Sequence, residues 1–319
     1  MGSAASQAIR GGAVIGFVLT RLFSLAAVVL GVVSLVFLLL HLVPGDPVEV
    51  MLGESATPAD RGELRRTLGL DRPIAVQWAR YLARLSHGDL GASLHSREPV
   101  AALVAGRVQA TAQLGAAALL VSLAIGLPLG IGAALRDGRG LDRAALGLCA
   151  LAMSVPSFWL GPILILVFSI TLGWLPVSGR TEAGAIVLPA LTLGIPLAAV
   201  LTRMVRASML QVLREDYLRT ARAKGLRPAQ VTLRHALRNA ALPVMTVLGL
   251  QLGGVLAGAI ITETIFQWPG LGQLTIESIQ RRDYPVVQAC VLVISLAYVV
   301  VNAATDILCG LLDPRVRMA

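Results

Sequence analysis

The hydrophobic pattern of this chain consists of long apolar runs separated by polar segments. The runs are about 20 residues or more in length, which is what a helix needs to cross roughly 30 Å of hydrocarbon. They predict membrane helices over residues 22–43, 110–135, 144–172, 184–202, 240–262 and 286–312. We therefore expect an all-α integral membrane protein with six transmembrane helices.

A long polar interval, residues 44–109, separates the first two predicted spans. It carries eight arginines and eight acidic residues, so its charge balance does not indicate a side of the membrane. Thr57 and Pro58, followed by Asp60 and Glu63, are typical of a capped helix start. We expect this interval to fold as a small helical segment on the outer face.

The composition agrees with a membrane protein and excludes a soluble globular one. The 319 residues are 56 % hydrophobic and 14 % charged, with a mean hydropathy of +0.76. The net charge of +9 is explained by the positive-inside rule. Sixteen basic residues fall in the segments assigned to the inner side, and three fall in the two short outer loops. We therefore expect both termini in the cytoplasm.

Positive charge is most concentrated in residues 203–238, here called the basic loop. It holds nine basic residues and only two acids, Glu215 and Asp216. Apolar residues recur at helical spacing through its first half, Gly225 is placed to end that helix, and Pro228 suits the first position of the next. The pattern predicts a helix, a turn and a second helix that together form a docking element.

Several predicted spans contain proline, which frees carbonyl groups that neighbours or water must then satisfy. These prolines are Pro128, Pro156, Pro162, Pro189 and Pro196. Either kinked packing or a gated pathway that flexes would account for them. The third span combines hydroxyl groups with a kink, and its candidate pathway-lining residues are Ser154, Pro156, Ser157 and Phe158.

The sequence shows no site that could convert energy within this chain. Lys224 is the only lysine, and no P-loop surrounds it. The four histidines lie at span ends or in loops, and the three cysteines have no metal-like spacing. We therefore do not expect an enzyme, and we expect no catalytic residue, metal site or bound cofactor in this chain.

Motifs at several separated places carry a family resemblance. Residues 217–226 read YLRTARAKGL, and residues 235–240 read HALRNA with Pro243 following. Further agreement comes from 44–47 (PGDP), 87–91 (HGDLG), 263–272 (ETIFQWPGLG) and 281–286 (RRDYPV). Together these segments resemble ABC importer permeases of the dipeptide/oligopeptide/nickel family, most of all the first permease of a dipeptide-type system.

The resemblance implies an ATP-driven importer in the bacterial inner (cytoplasmic) membrane, with alternating access driven by its ATPases. Its partners would be a second homologous permease, two cytoplasmic ATP-binding subunits, a periplasmic or lipid-anchored solute-binding protein and membrane lipid, but no nucleic acid. ATP and Mg²⁺ would be bound by the partner ATPases. The solute would be a dipeptide, an oligopeptide or a related small solute. A secondary transporter or a passive channel not coupled to ATP is the alternative.

The resemblance also assigns a coupling helix to the basic loop, where binding of anionic lipid is the alternative role. The ATPase-coupling residues would be Glu215, Asp216, Tyr217, Arg219, Thr220, Ala221, Arg222, Ala223, Lys224, Gly225 and Leu226. The expected domains are the N-terminal tail with the first membrane helix (1–43), a periplasmic helical segment (44–109), the core transmembrane permease domain (110–312) and a cytoplasmic tail (313–319).

Overall fold

The computed structural model describes residues 26–38, 48, 52, 57–67 and 69–312. Of the predicted first span, 22–43, the described part is the helix Ala26–Leu38. The PGDP segment at 44–47 and the predicted tail at 313–319 lie outside the described residues.

The described chain is helical, which confirms the predicted all-α class. Within these residues the only β-type pairing is an isolated antiparallel bridge between Ala92 and Pro99, and there is no strand. The helices in chain order are α1 (Ala26–Leu38), α2 (Pro58–Thr67), α3 (Ile74–Ser86), α4 (Val100–Leu135), α5 (Gly140–Ser154), α6 (Ser157–Leu164), α7 (Val187–Leu213), α8 (Asp216–Ala223), α9 (Pro228–Gln230), α10 (Leu237–Ile265), α11 (Leu271–Gln280) and α12 (Tyr284–Leu312). Helix α6 continues as the π-helix Ile165–Thr171, and α9 continues as the π-helix Val231–Ala236.

Three described helices are long and apolar enough to cross a membrane, namely α4, α7 and Tyr284–Thr305 of α12. Two bent pairs bring the number to as many as five. One pair is α5 with Ser157–Thr171, bent by 101°, and the other is Pro243–Val255 with Gly258–Ile265, bent by 51°. The described helix α1, Ala26–Leu38, is below the length counted as a span, so the described residues alone do not supply the sixth predicted span.

Two spans extend beyond their predicted ends. Helix α4 begins at Val100 rather than at residue 110, and α7 continues to Leu213 rather than ending at residue 202. The predicted ends followed the change from apolar to polar residues. Backbone hydrogen bonding continues past that change, because polar side chains on an outer turn can find solvent or a charged partner without breaking the helix.

The chain divides into two compact units, and the first contains Met1–Val104 and Glu277–Val299. In this unit α3 packs against α1. The rings of Phe37 and Tyr81 are stacked with centroids 5.8 Å apart, and Trp78 Nε1 donates a hydrogen bond to Ser34 Oγ at 3.1 Å. Burial raises the pKa of Tyr81 to about 12, so this side chain packs in its neutral form.

The carboxylate of Asp283 helps to fix the segment that follows α3 in the first unit. Asp283, which directly precedes α12, accepts hydrogen bonds from Ser93 Oγ and from the backbone N–H of Leu94, the latter at 3.1 Å. Gly88 and Gly91 have φ values of +74° and +80°, a conformation that favours glycine. These contacts give a structural reason for the HGDLG and RRDYPV motifs.

The second unit contains Ala105–Ile276 and Val300–Ala319, and close glycine contacts join α4 to α7 in it. A Cβ on Gly130 would lie 2.7 Å from Val205 Cβ and 2.8 Å from the carbonyl oxygen of Thr202. A Cβ on Gly194 would lie 2.6 Å from Val121 Cγ1. Small residues at these positions let the two helix backbones approach closely, as is common between membrane helices.

We predict that Gly194→Val lowers the thermal stability of the purified protein. The added atoms must displace Val121 and the Ala118 carbonyl, which lies 2.8 Å from the Cβ position, and overpacking of this kind costs about 1–3 kcal/mol. Gly147→Ala is the control, because no described atom lies within 4 Å of its Cβ position. Equal melting temperatures for the two variants in detergent would contradict the close packing of α4 and α7.

Candidate functional site

The basic loop contains a separate short helix, α8, set off by a turn at each end. Helix α7 ends at Leu213, and α8 begins at Asp216 with Glu215 in extended conformation before it. At its other end Gly225 has a φ of +79°. Its N–H donates to Arg222 O at 2.9 Å, and the N–H of Leu226 donates to Ala221 O at 3.4 Å. This is a Schellman-type helix end, whose left-handed residue is most often glycine.

Helix α8 is attached to the membrane helices by its apolar face. Leu218 is completely buried and Ala221 is 9 % exposed. They belong to one hydrophobic cluster, here called the α8 cluster, whose other buried members are Ala134, Leu201, Val205, Met209, Val231, Ala236, Ala240 and Val244. These residues come from α4, α7, α10 and the π-helix Val231–Ala236. A displacement of α8 therefore acts on all of these helices at once.

The other face of α8 and the turn after it are exposed and mainly basic. The side chain of Arg219 is 78 % exposed, and Arg222, Lys224 and Arg227 also lie on the surface. The acidic residue Asp216 is at the first turn and lies 3.5 Å from Arg219. Negative charge at the start and positive charge at the end of α8 both complement the helix dipole.

A polar contact holds α8 against the start of α10. Asn239 Nδ2 donates a hydrogen bond to Tyr217 Oη at 2.6 Å. Within α8 itself, Thr220 Oγ1 donates to Asp216 O at 3.2 Å. The structure therefore brings together all the predicted coupling residues, 215–226, on one helix and its two flanking turns.

Two arginines of the basic loop, Arg203 and Arg206, lie on helix α7. The sequence pattern did not predict this position. Arg206 forms a bidentate ion pair with Asp142, its Nε contacting Oδ1 and its Nη2 lying 2.7 Å from Oδ2. The same Nη2 lies 2.9 Å from Asp137 Oδ1. Asp142 is only 3 % exposed, and its Oδ2 also accepts from the N–H of Gly138 at 2.9 Å. The loop between α4 and α5 is thus bound to α7 by charge.

The four candidate pathway residues surround the break between α5 and α6. Ser154 ends α5 and Ser157 begins α6, with Pro156 in extended conformation between them. Ser154 and Pro156 are exposed, Ser157 is half-buried and Phe158 is 59 % exposed. The 101° bend between α5 and Ser157–Thr171, here called the elbow, brings hydroxyl groups and an exposed aromatic ring together. Pro156 therefore marks a sharp break between two helices rather than a mild kink.

A buried carboxylate, not predicted as a site residue, organises the segment between α10 and α11. Glu263 is completely buried. Its Oε1 accepts from Thr111 Oγ1 at 2.6 Å, and its Oε2 accepts from the N–H groups of Gly272 and Gln273 at 2.7 and 3.1 Å. The carboxylate therefore caps the N-terminus of α11 and ties it to α4.

The glycines of the ETIFQWPGLG motif make room for this carboxylate. A Cβ on Gly270 would overlap Glu263, and one on Gly272 would lie 2.9 Å from Glu263 Oε2. Trp268 Nε1 also donates to Ala110 O at 2.8 Å. The signal that could have identified Glu263 was an acidic residue at the end of an apolar span, seven positions before a glycine in the same motif.

Comparisons with known proteins agree with this architecture. Residues 126–318 match the family described as "Binding-protein-dependent transport system inner membrane component", and residues 14–115 match its N-terminal family. The dipeptide transport system permease protein DppB of Escherichia coli (strain K12) is 43 % identical over 94 % of this chain and 98 % of its own length. The glutathione transport system permease protein GsiC of Salmonella paratyphi A is 43 % identical over 95 % and 99 %.

The fold also resembles that of a solved transporter. A chain of the MetNI methionine ABC transporter, in an inward-facing conformation, has a TM-score of 0.56 and 21 % identity, covering 68 % of this chain and 99 % of that chain. This likeness shows a shared helical fold. The chain belongs to the inner-membrane component family of binding-protein-dependent transport systems. It is thus the permease of an ATP-driven importer, and the resemblance seen in the sequence is confirmed.

We predict that Glu263→Gln destabilises the protein more than Glu182→Gln does. A glutamine amide nitrogen cannot accept a hydrogen bond, so either Thr111 or the α11 N–H groups lose their acceptor. Each buried group left unpaired costs about 1–3 kcal/mol. Glu182 is exposed and serves as the control. Equal thermal stability of the two variants would contradict the role assigned to the Glu263 carboxylate.

Proposed function

We propose that this permease imports short peptides or closely related solutes and that α8 is its coupling helix. The observation that carries the proposal is the attachment of α8. Its apolar face is buried in a cluster shared with α4, α7 and α10, while its basic face is exposed. A helix placed in this way can receive a force on its exposed face and pass it to several membrane helices.

The substrate class is proposed from the relatives. Their names specify dipeptide and glutathione transport systems, and both solutes are small peptides with a charged amino group and carboxylates. Similarity over nearly the full length of both chains supports a solute of this size for the present permease.

We further propose six spans with both termini in the cytoplasm of a bacterial cell. The first span would contain α1, and the others would be α4, the α5–α6 pair, α7, α10 and α12. This orientation places the basic loop inside and residues 44–109 in the periplasm, as the distribution of basic residues favours. Residues 110–312 would then form the core permease domain.

The proposed assembly contains two permeases, this chain and a homologous one, with two cytoplasmic ATPases and an external solute-binding protein. ATP and Mg²⁺ would bind to the ATPases, where hydrolysis would take place. Residues 215–226 would enter a groove of one ATPase, and their excess of positive charge fits an acidic partner surface.

Alternating access would open and close a pathway that the elbow between α5 and α6 lines in part. Ser154, Pro156, Ser157 and Phe158 would face this pathway, because the bend exposes them and supplies hydroxyl groups for a polar solute. Hinged spans of this kind are where small displacements become large openings.

The first test concerns the energy source. Proteoliposomes that contain the permease with its cognate partners, loaded with ATP but lacking an ion gradient, are expected to accumulate a labelled dipeptide when the binding protein is present. Accumulation that needs an ion gradient and ignores ATP would contradict the proposal in favour of a secondary transporter. Equilibration without accumulation would indicate a passive channel.

The second test concerns the coupling role of Gly225. We expect Gly225→Leu to abolish ATP-dependent uptake while the protein remains in the membrane. Its φ of +79° disfavours a side chain, and no described atom of this chain lies within 4 Å of its Cβ position, so any steric obstruction would come from a docked subunit.

The matched control is Gly173→Leu, since Gly173 has a φ of +65° and equally open surroundings but lies after α6. Gly225→Asn distinguishes backbone strain from steric obstruction. Because asparagine tolerates this backbone conformation, a loss of uptake in this variant would come from the added side chain and not from strain. Normal ATP-dependent uptake by Gly225→Leu, or equal loss in both leucine variants, would contradict the docking of this turn.

A further inference from the structure

Two arginines from one turn of α7 contact opposite ends of α5. Arg206 binds Asp142 in the first turn of α5, and Arg203 Nη1 lies 3.6 Å from Met153 Sδ near its last residue. The elbow begins two residues after Met153, at Val155. One turn of α7 therefore contacts both ends of the helix that leads to the elbow.

The contact between Arg206 and Asp142 at the start of α5 has a defined bidentate geometry. The guanidinium of Arg206 presents two parallel N–H groups to Asp142, which is the arrangement that gives arginine–carboxylate pairs their directionality. The N–H of Gly138 fills a further acceptor site on Asp142 Oδ2. Asp137, in the loop before α5, receives one bond from Arg206 and lies 4.0 Å from Arg214 Nη2. Its side chain is 47 % exposed, and exposed ion pairs of this kind contribute little.

The same helix α7 is the direct neighbour of the coupling element. Arg206 lies seven residues before Leu213, the last residue of α7, and α8 follows after the turn at Arg214 and Glu215. Val205 and Met209, on either side of Arg206 in sequence, are fully buried in the α8 cluster together with Leu218. A displacement of α8 thus reaches the turn that carries Arg206 through packed side chains.

We propose that the ion pair between Arg206 and Asp142 transmits the movement of α8 to the elbow between α5 and α6. The inference depends on the proposed coupling role of α8. Arg206 and Asp142 act as positioning residues, since neither needs to contact the solute or the ATPase. When α7 moves, the pair carries α5 with it, and the elbow then opens or closes. Without the pair, α7 can move while α5 stays in place.

The test uses the complete importer reconstituted with its cognate ATPases, second permease and binding protein. In the Asp142→Asn variant we expect ATP hydrolysis to stay close to the wild-type rate while dipeptide uptake falls. The number of ATP molecules hydrolysed per imported solute is then expected to rise about tenfold, a typical size for the loss of one coupling interaction. Asp137→Asn is the matched control and is expected to leave that ratio unchanged.

A second variant and a second measurement keep the outcome clear. Arg206→Lys retains the charge but cannot form the bidentate contact, so its ratio is expected to rise as well. A cysteine at exposed Ser154 is expected to change its reactivity with a thiol reagent when ATP is added to the wild type, and not in Asp142→Asn.

Several outcomes would overturn the inference. One is a wild-type ratio of hydrolysis to uptake in both Asp142→Asn and Arg206→Lys. Another is failure of both variants to assemble, because the pair would then serve folding rather than transmission. ATP-independent uptake by the unmodified importer is a different result, since it would contradict the proposed function itself.

Discussion

In the proposed mechanism, the burial of Leu218 is the interaction on which coupling depends. Without this burial, α8 would have no packed contact with the membrane helices. A force applied to α8 would then move the loop alone. Leu218 and Ala221 fix α8 to side chains of α4, α7 and α10. Since closely packed interiors deform little, movement of α8 requires movement of the spans beneath it.

The few buried charges of the described second unit serve the same mechanical purpose. Asp142 joins the first turn of α5 to α7, and Glu263 joins α11 to α4. Each carboxylate has several donors, as a charge in an apolar environment requires. Glycines such as Gly130 and Gly194 let α4 and α7 pack closely against each other. The elbow after Ser154 is the sharper of the two bends between the described apolar helices.

Local features of this architecture could be predicted from the sequence, and distant pairings could not. Gly225 marks the end of α8 because a left-handed turn favours glycine, and Pro156 marks the break in the third span. The charge pattern, in contrast, assigns Arg206 to the basic loop. Its partner Asp142 lies 64 residues away, and Thr111 lies 152 residues from Glu263. Hydrophobic periodicity contains no information on such pairs, and the family motifs indicated only that the segments matter.

The most direct test of the central claim is photo-crosslinking from single cysteines in a cysteine-free background. A crosslinker attached at Arg219, on the exposed face of α8, is compared with one attached at exposed Glu182 in the loop between α6 and α7. The proposed mechanism predicts that Arg219 yields a product with an ATPase subunit and that Glu182 does not. A product from Glu182, or none from Arg219 in the active importer, would contradict it.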